Sequence, residues 1–460
     1  MENRSVLRLL EDMVIEVLVH LPVKSLMRFR CVSKSWCALI RSPDFATMHM
    51  RSKEMSETCS VMLINSLLFP GKTADDLLYL GTHALSFHDL HCPELSPVRP
   101  DVFFPLGNTY TPEFVSVYGP CNGLVVLVVG GNFVWCNPTL REFKVLPPPN
   151  PITVPEGYKV TIFLEYGFGF DADTNSYKFV TLVLVQEHVT HLDLDPSYEE
   201  DSYILTTLYD SSIDSWRIID TKLPELDHRP EVNLFFNGAQ HWKVTAHDRY
   251  EQNSNHNNVG YNILCFDMSS EVFKWISYPQ MYYDDDRKYE ALVSLKQCLA
   301  IARYGVESVD CIEIWVLKEY GVSESWTKEF VISAAYPTSF GLAPRCCSWQ
   351  DEWILLESGG QLAAYSVDCI EIWVLKEYGV SESWTKEFVI SAAYPTSFGL
   401  VPRCRSWQDE WILLESGGQL AAYAIHANQI NTFQFHGLEK SFRAIIFRES
   451  LVSLNKVLRI

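Results

Sequence analysis

From about residue 60 onward the chain is a succession of short runs rich in Val, Ile, Tyr and Trp, parted by turn residues and never by a helical period. "GLVVLVV", "NFVWCNP", "SYKFVTLVLV", "SYILTTLYD", "SWRIID", "ILCFDM" and "KWISY" are examples. Such runs are strands, because β-branched and aromatic side chains fit a pleated, half-buried surface. Regular spacing over roughly 350 residues favours radial repetition, as in a propeller, over a single sandwich. No run reaches the ~18 apolar residues that would span a bilayer. The strongest candidate, "GLVVLVVGGNFVWC", is broken by Gly130 and Gly131 and reads as two strands joined by a turn.

One stretch occurs twice. Residues 308–365 and 366–423 are 58-residue copies that differ only at Ala343 versus Val401 and Cys347 versus Arg405. Within the unit, "CIEIWVLKE" alternates Ile312, Ile314 and Val316 against Glu313, Trp315 and Leu317. "SWTKEFVI", "EWILLES" and "QLAAYSV" supply further strands, with Gly359 and Gly360 as a hairpin turn. About four strands is the content of one propeller blade. The repeat is therefore a recent tandem duplication of a blade-sized unit, or an error of gene assembly. A closed ring cannot accept an extra blade without changing its closure, so one copy is expected at the margin or poorly folded.

The first fifty residues read differently. Val14, Val17, Leu18 and Leu21 fall at helical spacing and the helix stops at Pro22. Ser25 is placed to cap a second helix carrying Leu26 and Phe29, and Val32, Trp36, Leu39 and Ile40 continue on a third, with Pro43 beyond its end. Between Met13 and Ile40, 18 of 28 residues are apolar, more than three short helices can enclose. Another protein, or the β body itself, must cover the remainder.

Charge divides the chain the same way. Of the net −20, residues 1–50 contribute +2 and the other 410 contribute −22. An acidic body repels nucleic acid and attracts basic partners. With Glu2 and no apolar core before a small-residue cleavage site, the N-terminus does not read as a secretory signal, which points to the cytosol or nucleus. Thirteen cysteines without a C-x-x-C pair fit reduced core thiols, and they argue against Cys-based metal sites.

The run "HLPVKSLMRFRCVSKSWCALIRSPDF" resembles the F-box, a small helical module that docks a cullin-based ubiquitin ligase through a Skp-type adaptor. The resemblance implies that Leu21 and Pro22 form the helix break at the adaptor surface. It assigns Leu26, Val32, Trp36 and Leu39 to apolar anchors and module core. The chain departs from the family at Leu10, where a Pro usually precedes the acidic pair, here Glu11 and Asp12. That loss weakens pre-organisation of the first helix. Farther on, "GPCNGLVVL", "CNPTLREFKVLPPP", "YGFGFDADTNSYKFV" and "LYDSSIDSWRIID" are similar to the F-box-associated domain of plant F-box proteins. "CFDMSSEVFKWI", "CIEIWVLKEYGVSESWTK" and "FHGLEKSFRAIIFRESLVSL" resemble the S-locus F-box group of self-incompatible flowering plants, which recognises basic pistil ribonucleases. In these phrases the Asn-Pro and Asp-x-x-x-Asn segments turn the chain, and the Trp after each turn packs between strands.

Chemistry is sparse. No G-x-S-x-G elbow, phosphate-binding Gly-rich loop with Lys, or H-E-x-x-H occurs, and no cofactor is implied. "THALSFHDLHCPE" gathers His83, His88, His91 and Cys92, but at no established zinc spacing, so a polar loop is the plainer reading. "HVTHLDLDPSYEED" brings together Asp193, Asp195, Glu199, Glu200 and Asp201 without the Gly and terminal Glu of a calcium loop. With Tyr282, Tyr283, Asp284, Asp285 and Asp286 of "YYDDDRKYE", it forms the candidate substrate contact, since Tyr beside Asp offers rigid area and a field for Lys and Arg.

The expected architecture is thus mainly β with a small all-α head: a three-helix F-box (1–50), a connecting segment with first strands (51–110), a propeller-like F-box-associated domain (111–423) and terminal strands closing it (424–460). The expected role is a non-catalytic receptor subunit of a ubiquitin ligase, held through the Skp-type adaptor to a cullin scaffold and binding a basic protein, with no nucleic acid and no membrane. An F-box receptor with an unrelated target, a decayed paralogue, and a propeller lectin or hydrolase are the alternatives.

Overall fold

The computed structural model describes residues 12–53, 59–67, 82–89, 102–103, 116–129, 131–149, 158–189, 202–220, 223, 231–247, 259–279, 289–295, 297–304, 311–333, 343–345, 353–357, 369–375, 384–391, 401–405, 411–416, 419–424, 429–433, 443–454 and 458–459. By internal packing the chain divides into two units, residues 1–146 with 403–460, and residues 147–402.

Among the described residues, the first unit begins with four helices: α1 (residues 12–19), α2 (Val23–Phe29), α3 (Lys34–Ile40) and α4 (Pro43–Lys53). Next come β1 (Cys59–Leu67), β2 (Thr82–Asp89) and β3 (Val102–Phe103), then β4 (Ser116–Cys121), β5 (Leu124–Val129), β6 (Asn132–Asn137) and β7 (Glu142–Val145). β5, "LVVLVV", is almost wholly buried, which explains its unbroken apolar run.

The second unit holds β8 (Tyr158–Asp171) to β11 (Ser215–Ile219) through β9 (Ser176–Val189) and β10 (Ser202–Asp210). It continues with β12 (Glu231–Phe236), β13 (Ala239–His247), β14 (Val259–Asp267) and β15 (Phe273–Ser277), and with β16 (Tyr289–Leu295), β17 (Cys298–Tyr304), β18 (Cys311–Leu317) and β19 (Trp326–Ser333). β20 (Ala343–Arg345), β21 (Trp353–Glu357), β22 (Cys369–Leu375) and β23 (Trp384–Ser391) end it. Each group of four is one antiparallel sheet in sequence order, and the first strands neighbour one another: β8 lies beside β12, β12 beside β16 and β16 beside β20. β24 (Val401–Arg405), β25 (Trp411–Ser416), β26 (Gln419–Ala424) and β27 (Gln429–Phe433) form another such sheet, the first unit resuming at Arg403. The chain end then pairs twice with early strands, β28 (Arg443–Arg448) with β1 and β29 (Leu458–Arg459) with β7.

β14 shows why so many strands lack a polar face. Leu264 and Phe266 pack with Val180, Leu182, Leu208 and Trp242, while Ile263 and Cys265 pack on the opposite side with Leu292, Leu299, Ile301 and Trp326. A period of two feeds both interfaces from one strand. Close approach is bought at Gly167 of β8, where a Cβ would stand 2.5 Å from Gln240 Cγ.

Turn chemistry repeats. Asn122-Gly123 and Asn237-Gly238 are two-residue hairpin turns with all four residues at positive φ. At four other strand ends an Asn or Asp accepts from a backbone N–H two or three residues on: Asn137 from Leu140 (3.1 Å), Asp171 from Asp173 (2.9 Å), Asp210 from Ser212 (2.8 Å) and Asp267 from Ser269 and Ser270 (3.0 Å each). Four residues after each stands a left-handed residue, Arg141, Asn175, Asp214 and Glu271.

The duplicated unit has the strand content of a blade but not its boundaries. The first copy supplies β18 and β19, the last two strands of one sheet, then β20 and β21, the first two of the next. The second copy completes that sheet with β22 and β23 and begins another with β24, β25 and β26. The extra sheet, β20 to β23, is half of each copy, and its four strands pair in order. "QLAAYSV" and Gly359-Gly360 of the first copy lie outside the described residues; in the second copy the corresponding hairpin sets Ser416 opposite Gln419.

Candidate functional site

In the helical head, Pro22 itself stands at the N-cap position of α2, and Ser25, expected as the cap, lies inside that helix. Ser33 caps α3, its Oγ accepting from Trp36 N at 3.1 Å, which leaves Val32 in the turn ahead of the helix. Pro43 opens α4, as Pro does at a first helical position. α4 then supplies partners for carbonyls at the end of α1: Ser52 Oγ donates to Val19 O and His49 Nε2 bonds Leu21 O, each at 2.9 Å.

The enclosed side of the head consists of Leu18, Val19, Val23, Leu26, Ile40, Phe45 and Ala46. Leu451 is buried in the same cluster, and Leu140 and Val452 pack against it. The β part of this unit therefore forms a floor beneath the helices. Around that floor, Asn137 Nδ2 donates to Ser450 O (3.2 Å) and Val452 O (2.6 Å), and Glu142 Oε2 accepts from Leu454 N and Ser453 Oγ, both at 2.8 Å.

The outer side has no such cover. Val17 is 63% exposed, Met13 lies one turn before it on α1, and Val32 is 61% exposed, with Met27 also in solvent. Pro22 is exposed and Leu21, Trp36 and Leu39 are half-buried, Trp36 meeting Phe29 edge-on at 5.6 Å between centroids. Leu26 is wholly enclosed, so any part it has in adaptor binding is to hold the helices rather than to touch the adaptor. Apolar content in the head is thus split between an internal floor and an uncovered face. Sequence reasoning missed both Met13 with Val17 as surface residues and the floor residues; helical spacing alone does not say which side of α1 faces in.

Residues 6–47 match the F-box domain and residues 102–350 match the F-box associated beta propeller domain. The chain belongs to the F-box associated beta propeller domain family. The F-box protein CPR1 of Arabidopsis thaliana is 24% identical to it over 399 residues, 83% of this chain and 87% of that protein. An F-box/kelch-repeat protein of the same plant is 26% identical over 332 residues, 69% of this chain and 77% of that one. A head of this kind followed by an F-box associated domain is the build of a substrate-recognition adaptor, and the F-box implies a Skp-type partner.

Other candidates in this F-box protein are structural or undescribed. Asp193, Asp195, Glu199, Glu200, Asp201, Tyr282, Tyr283, Asp284, Asp285 and Asp286 lie outside the described residues, as do His91 and Cys92. His83 and His88 fall on β2. Among the described residues, no cluster of His, Cys, Asp or Glu is placed to hold a metal ion, and no helix is long and apolar enough to cross a membrane.

Two buried polar groups stand out in the second unit. Lys178 Nζ bonds Asp171 Oδ2 (2.7 Å), Glu271 Oε1 (2.7 Å) and Met268 O (2.6 Å), and Arg217 also pairs with Glu271. Burial by itself would raise Asp171, but hydrogen bonds from Lys178, Thr174 and Ser269 outweigh it and hold the carboxyl well below the usual range. His241 lies between Leu234 O and the Tyr320 hydroxyl (2.8 Å), and burial lowers its pKa to about 4. Lys178 to Met268 O and Glu271, Arg217 to Glu271, Ser269 to Asp171 and His241 to Tyr320 each tie one sheet to its neighbour, so these groups act as clasps.

Proposed function

We propose that the chain is the substrate-recognition subunit of an SCF-type cullin-RING ubiquitin ligase, working in the cytosol or nucleus. The observation that carries this reading is the uncovered apolar face of the F-box, with Met13, Val17 and Val32 in solvent above an interior that the same chain fills. The Skp-type adaptor covers that face and links it to the cullin, while the β domain holds a protein substrate. Proximity is the mechanism: substrate lysines held near the ubiquitin carrier gain effective concentration, and no residue of this chain makes or breaks a bond.

The acidic balance of residues 51–460 supports a basic substrate. The phrases that resemble the S-locus group support a pistil ribonuclease as that substrate, with the two acidic and Tyr-bearing segments 193–201 and 282–286 as the proposed contacts. Co-purification with the adaptor tests the first claim. Val17→Asp with Val32→Asp places charge on the exposed face without entering the core, so capture should fall at least tenfold with the fold intact. Undiminished capture by a folded double variant would sink the reading. Binding of a basic pistil ribonuclease, compared with an acidic ribonuclease of similar size, tests the second claim.

A further inference from the structure

Asn137 departs from the other turn-closing residues in a way that only a carboxamide allows. Its Oδ1 caps its own turn through Leu140 N at 3.1 Å, as Asp171, Asp210 and Asp267 cap theirs. Its Nδ2 is free to donate, and it holds the carbonyls of Ser450 and Val452 at 3.2 and 2.6 Å. Ser450 N donates to Thr139 Oγ1 at 2.9 Å, and Glu142 takes Ser453 Oγ and Leu454 N. The chain is therefore gripped on both sides of Leu451, which is 3% exposed and enters the cluster of Leu18, Val23, Leu26, Ile40 and Phe45. Leu140, on the turn that Asn137 caps, packs on that cluster too.

Helices of seven or eight residues are too short to persist alone, and their stability comes from the apolar face they bury. We infer that Asn137 and residues 449–454 are positioning elements of the adaptor site: the end of the chain completes the interior that holds α1 to α3 in binding geometry. Adaptor capture then depends on residues at the opposite end of the sequence from the F-box. The inference rests on the adaptor reading above and adds a requirement that an F-box considered alone does not carry.

Full-length Asn137→Asp, Leu451→Ala and Leu451→Asp variants test it. Asn137→Asp keeps the turn cap and turns an acceptor toward two carbonyls, so it breaks the grip specifically. Purified Skp-type adaptor is titrated calorimetrically, and amide hydrogen exchange is followed in α1–α4 with β8–β10 as the reference. Adaptor affinity is expected to fall at least tenfold in Asn137→Asp and Leu451→Asp, and less in Leu451→Ala. Exchange should quicken in the head, stay unchanged in β8–β10, and slow again at saturating adaptor, since a ligand of the ordered head restores it. Wild-type affinity with unchanged exchange in the head would overturn the inference, as would equal loss of protection in β8–β10. If wild type itself fails to bind adaptor, the proposed function falls, and exchange in the head alone decides this claim. Should Leu451→Asp not fold, Asn137→Asp and Leu451→Ala carry the test.

Discussion

Asp171 both closes a turn and takes part in a buried ion pair, and only the first role is readable from its neighbours in sequence. The spacing from Asp171 to Asn175 announces the turn; nothing local announces that Lys178 will reach Met268 O and Glu271 on another sheet. Replacing Lys178 with Met leaves the buried Asp171 carboxylate facing no cation, while Glu271 keeps Arg217, and chemical denaturation should show a loss of about 3–5 kcal/mol. Acid should weaken the same unit by two routes. Asp171 and Glu271 lie below their ordinary values when folded, so their contribution is complete above about pH 5 and vanishes as pH falls through the folded values. His241 is held neutral, its pKa lowered from 6.5 to about 4, so stability declines as pH drops across that interval, by up to about 3 kcal/mol. Equilibrium unfolding from pH 7 to 4 should show this slope in wild type and lose it in His241→Gln.

Among the elements, the hairpins were the most legible. The Asn-Pro and Asp-x-x-x-Asn phrases mark turns, and the turns closed by Asn137 and Asp171 stand where those residues stand; the Asn122-Gly123 and Asn237-Gly238 hairpins carry a signal of the same kind that the reading of the sequence passed over. Helix limits were less so: Ser25 is a good cap by type, but Pro22 takes the N-cap position of α2 and leaves Ser25 inside that helix, while Ser33 caps α3. The offset of the duplicated unit from the sheets was not legible, because a repeat's period gives its length and not its phase. That offset yields a prediction. Deleting residues 308–365 removes β18 to β21 and leaves β22 and β23 to follow β17, so one sheet fewer should form with every remaining strand paired. Calorimetry on the shortened chain should find a cooperative transition at no lower temperature; a collapse to a non-cooperative melt would show that both copies are required.

For the whole molecule, class and charge were readable and the partnership between the chain's two ends was not. Short strands and a −22 balance outside the first fifty residues already defined an acidic β body with a helical head. That Leu451 would lie among the F-box helices has no local signature, since burial there depends on where β28 and β29 carry the chain end. The two proposed binding faces differ in kind, so salt should separate them. Raising ionic strength from ~0.05 to ~0.5 M shrinks the Debye length several-fold, and capture of a basic substrate should weaken at least tenfold while adaptor capture, through apolar contact, changes little. Pull-down of both partners across that range checks it.

The paired registers of the repeat raise a question of identity. Val316 lies opposite Ala300 of β17 and Val374 opposite Trp353 of β21, and from there the two partner strands step along "CIEIWVL" in the same register, with the same irregularity one strand further out. β17 thus has no chemical means of telling β18 from its twin β22. What distinguishes them is distance along the chain: residues 305–310 separate β17 from the first, residues 305–368 from the second. Closing the longer connection costs about 2 kcal/mol more in chain entropy. Where two strands carry the same letters, the topology is selected by tether length, and the choice belongs to the unfolded chain as much as to the folded one.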